Sequence, residues 1–124
     1  MAKTSVIEVY ETALRMDISL LVRSLNAELG APTVAALAGS RDSKLPYKWA
    51  KGTKPNTPAE TRLRVAHRVW NLIATNESPD IARAWFQGAS PLLDETPPIQ
   101  AISEDRLREV NLAAQAFVDC PSPS

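Results

Sequence analysis

Apolar positions in this 124-residue chain recur at three- and four-residue spacing and nowhere alternate, which predicts helices throughout and no sheet. Between 18 and 29, Leu21, Val22, Leu25 and Leu29 share one face of a helix that Asp17 can cap. Between 58 and 75, Leu63, Ala66, Val69, Trp70 and Ile73 form the buried stripe of a longer helix. Pro58-Ala59-Glu60 opens it, with proline in the first turn and the acid at the positive end of the dipole. Arg64 and Arg68, four apart, share another face of it. A modest helix over 5–15 sets Val6, Tyr10, Ala13 and Leu14 against Glu8, Glu11 and Arg15. Its apolar side can cover the domain or pair with a second copy.

Helix-start signals punctuate the C-terminal third. Ser78-Pro79-Asp80 predicts a helix over 79–87, ended by Gly88. Ser90-Pro91 repeats the signal before Leu92-Leu93, and Thr96-Pro97-Pro98 breaks that element ahead of a short apolar run over 99–102. Ser103 is the expected cap of a last helix, with Glu104 and Asp105 in its first turn and Leu107, Val110, Ala114 and Phe117 on its core side. The stretch 119–124 is too polar and proline-rich for a helix.

The segment 29–58 reads as two short helices around a glycine turn. Gly30 stops the preceding helix, and Thr33 is the expected cap for the run 34–38. Gly39 supplies the positive φ of a tight reversal. Ser43 is the expected cap of a second helix carrying Lys44, Leu45, Tyr47, Lys48, Trp49 and Lys51, with Pro46 in the first turn and Gly52 after its end. This is the outline of a helix-turn-helix, whose second helix enters the DNA major groove. On that reading Ser43, Lys44, Tyr47, Lys48 and Lys51 face bases, and Arg41, Lys54 and Arg62 face phosphates. Trp49 is expected to pack against the helix before it.

Composition narrows the function. An apolar content of 44% in 124 residues fits one domain with a true core. No apolar run approaches a membrane span, and the first residues lack the apolar core of a signal peptide. Cys120 is the single cysteine, so no internal disulfide is expected, and the expected location is cytoplasmic. The net charge of zero hides an asymmetry. From Arg41 to Arg68 stand eight basic and two acidic residues, a net +6, against six basic and twelve acidic elsewhere, a net −6. A basic block over the expected reading helix is the electrostatic footprint of a DNA-binding surface, although a solvated basic face without a partner has the same composition. His67 is alone, with no second ligand at metal-binding spacing. No nucleophile–base pair or phosphate loop is visible, so neither catalysis nor a cofactor is expected.

The middle and end of the chain resemble the antitoxins of Xre–RES toxin–antitoxin systems, the MbcA/ParS/Xre toxin-binding family. The resemblance rests on Lys48-Trp49-Ala50-Lys51-Gly52, on Glu60-Thr61-Arg62-Leu63-Arg64, and on Ala84-Trp85-Phe86-Gln87-Gly88-Ala89-Ser90-Pro91-Leu92-Leu93 followed by Pro97. It spans about residues 18–118. Family members often carry Gly-Gly-Arg between the Leu-Leu and the proline, where this chain has Asp94-Glu95-Thr96. Members also tend to have a further helix after that proline, which Pro98 would start in an unusual way.

The resemblance implies an all-α protein, an Xre-like helix-turn-helix bundle followed by a small helical toxin-binding module. Its parts would be an N-terminal arm (1–16), the DNA-binding region with a linker helix (17–75), the toxin-binding module (76–118) and a flexible tail (119–124). The implied partners are a RES-domain, NAD-consuming toxin and operator DNA, in a homodimer or a toxin-bridged assembly, with no membrane. Trp85, Phe86, Ser90, Pro91, Leu92, Leu93, Asp119 and Cys120 are the implied toxin-binding residues, with Trp85, Phe86, Leu92 and Leu93 expected mainly in the core. Rival readings are a stand-alone Xre-type repressor that self-associates through its second module, and an interaction adaptor that has lost DNA binding.

Overall fold

The structure, a computed structural model, describes residues 16–120. The expected helix over 5–15 and residues 121–124 lie outside the described residues. Among the described residues seven helices follow in order: α1 (Ile18–Leu29), α2 (Ala31–Ala38), α3 (Leu45–Ala50), α4 (Thr57–Asn76), α5 (Pro79–Gln87), α6 (Pro98–Ser103) and α7 (Leu107–Asp119). A single 3₁₀ turn, Pro91–Leu93, stands between α5 and α6. Among the described residues there is no strand, only an isolated bridge between Ser90 and Thr96. The fold is all-α.

The 20-residue α4 is the central element, packing against α1, α2, α5, α6 and α7. Its expected stripe of Leu63, Ala66, Val69, Trp70 and Ile73 is wholly buried. Around it Leu21, Val22, Leu25, Val34, Leu37, Phe86, Leu93, Ile102 and Val110 are all closed to solvent. Each such side chain contributes about 1.5–3 kcal/mol by leaving water. One apolar cluster runs from Ile18 to Ala114, so the regions 17–75 and 76–118 share a core. Arg83 adds a polar tie between them. Its Nε donates to the Glu28 carbonyl at 2.9 Å, its Nη2 pairs with the Glu28 carboxylate at 3.2 Å, and its guanidinium lies 5.7 Å from the Trp70 ring centre.

The buried stripes of α1 and α4 match their sequence pattern, and α1 and α5 have the expected limits, whereas three expected caps are misplaced and a fourth makes no cap bond. Gly30 turns the chain at φ +85°, so α2 starts at once at Ala31 with Pro32 in its first turn, and Thr33 lies inside the helix rather than before it. Ser43 does not cap α3; the Asp42 carboxylate accepts from the Lys44 N–H at 2.9 Å instead. Ser103 ends α6 instead of opening α7, its Oγ donating back to the Gln100 carbonyl. Asp105 then takes φ +62°, and the bonds Asp105 N–H to Ile102 O and Arg106 N–H to Ala101 O close a Schellman turn, delaying α7 to Leu107. Asp17 stands before α1 as expected, but its carboxylate accepts from the Ser19 hydroxyl rather than from backbone N–H. By contrast, Asn56 and Ser78 cap α4 and α5 through the Ala59 and Ile81 N–H groups.

Candidate functional site

The shortest helix in the basic block is held by its own backbone. Arg23 Nη2 donates to the Ala50 carbonyl and Asn26 Nδ2 to the Pro46 carbonyl, both at 3.1 Å. Arg23 and Asn26 are one turn apart on α1, and the two carbonyls are one turn apart on α3, so a six-residue helix too short to persist alone is clamped at both ends. Asn26 Oδ1 is buried without a partner, a cost carried to bring Nδ2 into place. Pro46 and Trp49 are buried, Trp49 within the shared apolar cluster. The opposite face carries Lys44, Tyr47 and Lys48, with Tyr47 57% exposed.

Ser43, Lys44, Lys48, Lys51, Arg41 and Lys54 are all exposed as well. Among the described residues no carboxylate forms a salt bridge with any of these five cations. A run of uncompensated cations on and beside one clamped helix attracts polyanions without first breaking internal pairs.

Arg62 does not belong to that surface. Its side chain is only 18% exposed, with Nε and Nη2 gripping both oxygens of Asp105 at 2.8 Å while Nη1 donates to the Ala38 carbonyl at 2.9 Å. The Asp105 partner raises the Arg62 pKa, and the Arg62 hydrogen bond holds the Asp105 carboxyl below its usual value. Arg62 therefore ties the end of α2 to the α6–α7 turn. Gly39 makes room for it: at φ +88°, a Cβ there would lie 2.6 Å from Arg62 Nη1. Arg64 is also engaged, pairing with Glu60 and donating to the Met16 carbonyl at 2.8 Å. His67 is half-buried, and desolvation followed by the charge of Arg64 lowers its pKa. Among the described residues no cluster of His, Cys, Asp or Glu could hold a metal ion.

A second feature lies between α5 and α7. Ile81, Ala84, Trp85, Gly88, Ala89, Pro91, Leu92, Ala113, Ala116, Phe117 and Cys120 line an open apolar groove of about 590 Å³, with Ser90 at its wall. Of the residues the resemblance assigned to partner binding, Trp85, Ser90, Pro91, Leu92 and Cys120 line this groove. Phe86 and Leu93 do not; both are fully buried beneath it. Leu92, expected mainly in the core, is 64% exposed, and Phe117, expected on the core side of α7, is 37% exposed. Trp85 stands edge-on to Phe86 at 5.5 Å and 6.3 Å from Phe117, so the groove floor is continuous with the core. Asp119 ends α7 beside Cys120 and is exposed. Sequence reading did not place Ile81, Ala84, Gly88, Ala89, Ala113, Ala116 or Phe117 in the site; the 81/84/85/88 spacing on α5 and 113/116/117/120 on α7 could have found all but Ala89.

Comparison with family models, with curated proteins and with solved structures finds no match to this chain. No helix of the described residues is long and apolar enough to cross a membrane.

Proposed function

We propose that this chain is a DNA-binding repressor of the helix-turn-helix type that also neutralises a protein partner, as the antitoxins of Xre–RES systems do. The observation that carries the reading is α3, a helix clamped by its backbone to α1 that turns Lys44, Tyr47 and Lys48 to solvent, flanked by Arg41, Lys51 and Lys54. In this reading α2 and α3 are the two helices of the motif, and α3 enters the major groove. Ser43, Lys44, Tyr47, Lys48 and Lys51 meet base edges, and Arg41 and Lys54 meet phosphates. Six residues of helix make few contacts, so two copies, or copies bridged by the partner, act on a repeated site.

The resemblance to the antitoxin family gains support at its point of departure. Asp94 and Glu95 stand where members often carry Gly-Gly, and here both are left-handed, at φ +55° and +64°. A backbone of that kind is the one glycine adopts without steric cost. The order of elements around it, including a short helix after Pro97, also fits. On this reading the α5–α7 groove meets a RES-domain toxin, and no catalytic step or cofactor belongs to this chain.

Two measurements test the proposal. Binding of the full chain to the DNA upstream of its own reading frame should weaken steeply with salt, in proportion to the phosphates neutralised. Co-expression with the adjacent reading frame should rescue growth and yield a co-purifying complex. DNA binding without rescue would leave a stand-alone repressor, and rescue without salt-sensitive DNA binding would leave an interaction adaptor.

A further inference from the structure

The groove between α5 and α7 has no charged residue in its lining, and exposed carboxylates stand within one or two residues of that lining along the chain. Asp80 precedes Ile81 on α5, Asp94 follows Leu92 by two residues, and Asp119 stands between Phe117 and Cys120 on α7. Asp80 and Asp94 keep 95% and 96% of their side chains exposed although each has an arginine nearby. Each arginine is shared: Arg83 Nη1 holds Asp80 at 2.7 Å while its other nitrogens reach back to Glu28, and Arg106 Nη2 grips Glu109 at 2.6 Å with Asp94 at 3.6 Å. Both rim carboxylates are thus held by one side while staying open to solvent, as is Asp119, which accepts from the Gln115 amide at 3.0 Å. Residues 76–120 hold eight acidic and three basic side chains, a net −5, in contrast to the cationic run around α3.

The sign of the rim decides among occupants. Nucleic acid is repelled from it. A second copy docking the same face would set its Asp80, Asp94 and Asp119 against their own kind, and like charges in juxtaposition cost association. We infer that this groove accepts an amphipathic helix of a partner protein, its apolar face against Trp85, Leu92 and Phe117 and its flanking lysines or arginines against Asp80, Asp94 and Asp119. The inference rests on the reading of α5–α7 as a partner-binding module and adds the chemistry of what that module holds. Apolar contacts at i, i+3, i+4 and i+7 supply the affinity, and the cationic flanks supply orientation and rate.

The test uses two synthetic helical peptides with the same leucines at that spacing, one flanked by lysines and one by glutamates, titrated against the full chain by fluorescence anisotropy. The lysine peptide should bind at least tenfold more tightly at low salt, and the gap should narrow as salt screens the rim. Leu92→Asp, at an exposed position, should abolish binding of both while leaving affinity for promoter DNA unchanged. Replacing Asp80, Asp94 and Asp119 together by Asn should erase the preference and keep the apolar part of the affinity. Equal binding of the two peptides, preference for glutamate flanks, or no binding of either overturns the inference. So does a concentration-dependent dimer that Leu92→Asp dissolves, which would make the occupant a second copy. Failure of the peptides alongside preserved growth rescue in co-expression sinks this inference alone; loss of both sinks the partner reading with it.

Discussion

The basic block contains two populations of cations that the sequence does not distinguish. Arg41, Lys44, Lys48, Lys51 and Lys54 sit on or beside a short helix whose inner face is already filled by Pro46 and Trp49, so their charges have nowhere to go but solvent. Arg62 and Arg64 sit on a long central helix, one residue either side of the buried Leu63; Arg62 reaches the Asp105 carboxylate and the Ala38 carbonyl, and Arg64 pairs with Glu60 on its own helix and reaches the Met16 carbonyl. Equal charge thus becomes a binding surface in one place and internal bracing in the other. What separates them is the helix position relative to the buried stripe, together with a tertiary partner, Asp105, that is 43 residues away in sequence. A planar guanidinium can serve three acceptors at once, which a lysine cannot.

The comparison can be attacked first through the core that both populations share. Phe86→Ala should lower unfolding free energy by about 3–5 kcal/mol in denaturant titration, whereas Leu92→Ala, on the exposed lip of the groove, should change it by less than about 0.5 kcal/mol. Equal effects would mean that groove and core are not distinct layers. Gly39→Ala follows, because it demands a left-handed backbone and intrudes on Arg62; a loss of about 1–3 kcal/mol is expected. Arg62→Met should destabilise more than Lys48→Met, and its DNA affinity, measured on the folded fraction, should stay close to that of the parent chain.

Smaller effects sharpen the picture. Asp94→Gly should stabilise by about 0.5–1 kcal/mol, since it relieves a left-handed residue whose carboxylate is almost fully exposed. His67 tests burial on α4. Its folded pKa lies below the unfolded value of 6.5, so the unfolded chain binds more protons in that range. Stability should be full above about pH 6.5 and decline as pH falls through the folded pKa, and His67→Gln should flatten that slope in pH-dependent melting.

Much of this architecture was legible in advance, for reasons visible residue by residue. The α4 stripe and the limits of α1 and α5 follow from apolar periodicity and from stop glycines at 30 and 88, signals that are local and strong. The caps at Thr33, Ser43 and Ser103 differ for separate reasons: Gly30 turns the chain so that α2 opens ahead of Thr33 with no side-chain cap, Asp42 takes the backbone N–H that Ser43 would have met, and Ser103 bonds back to Gln100. The segment Ser103-Glu104-Asp105 has the composition of a helix start, yet Asp105 adopts the left-handed turn that seats its carboxylate on Arg62. Arg62 was placed with the phosphates for the same reason: its true partner lies two helices further along the chain. The groove was half legible. Trp85, Pro91 and Leu92 carry a chemical signal of their own, while the alanines lining the groove show only through their three- and four-residue spacing on α5 and α7.

The central claim is that the uncompensated cations of α3, and not the braced arginines of α4, meet DNA. The most direct measurement is the affinity of Lys44→Ala/Lys48→Ala for the promoter fragment at fixed salt, alongside its melting temperature. The account predicts a fold as stable as the parent and a loss of about 1–3 kcal/mol in binding for each base-contacting lysine removed. Unchanged DNA affinity in a folded double variant would contradict it.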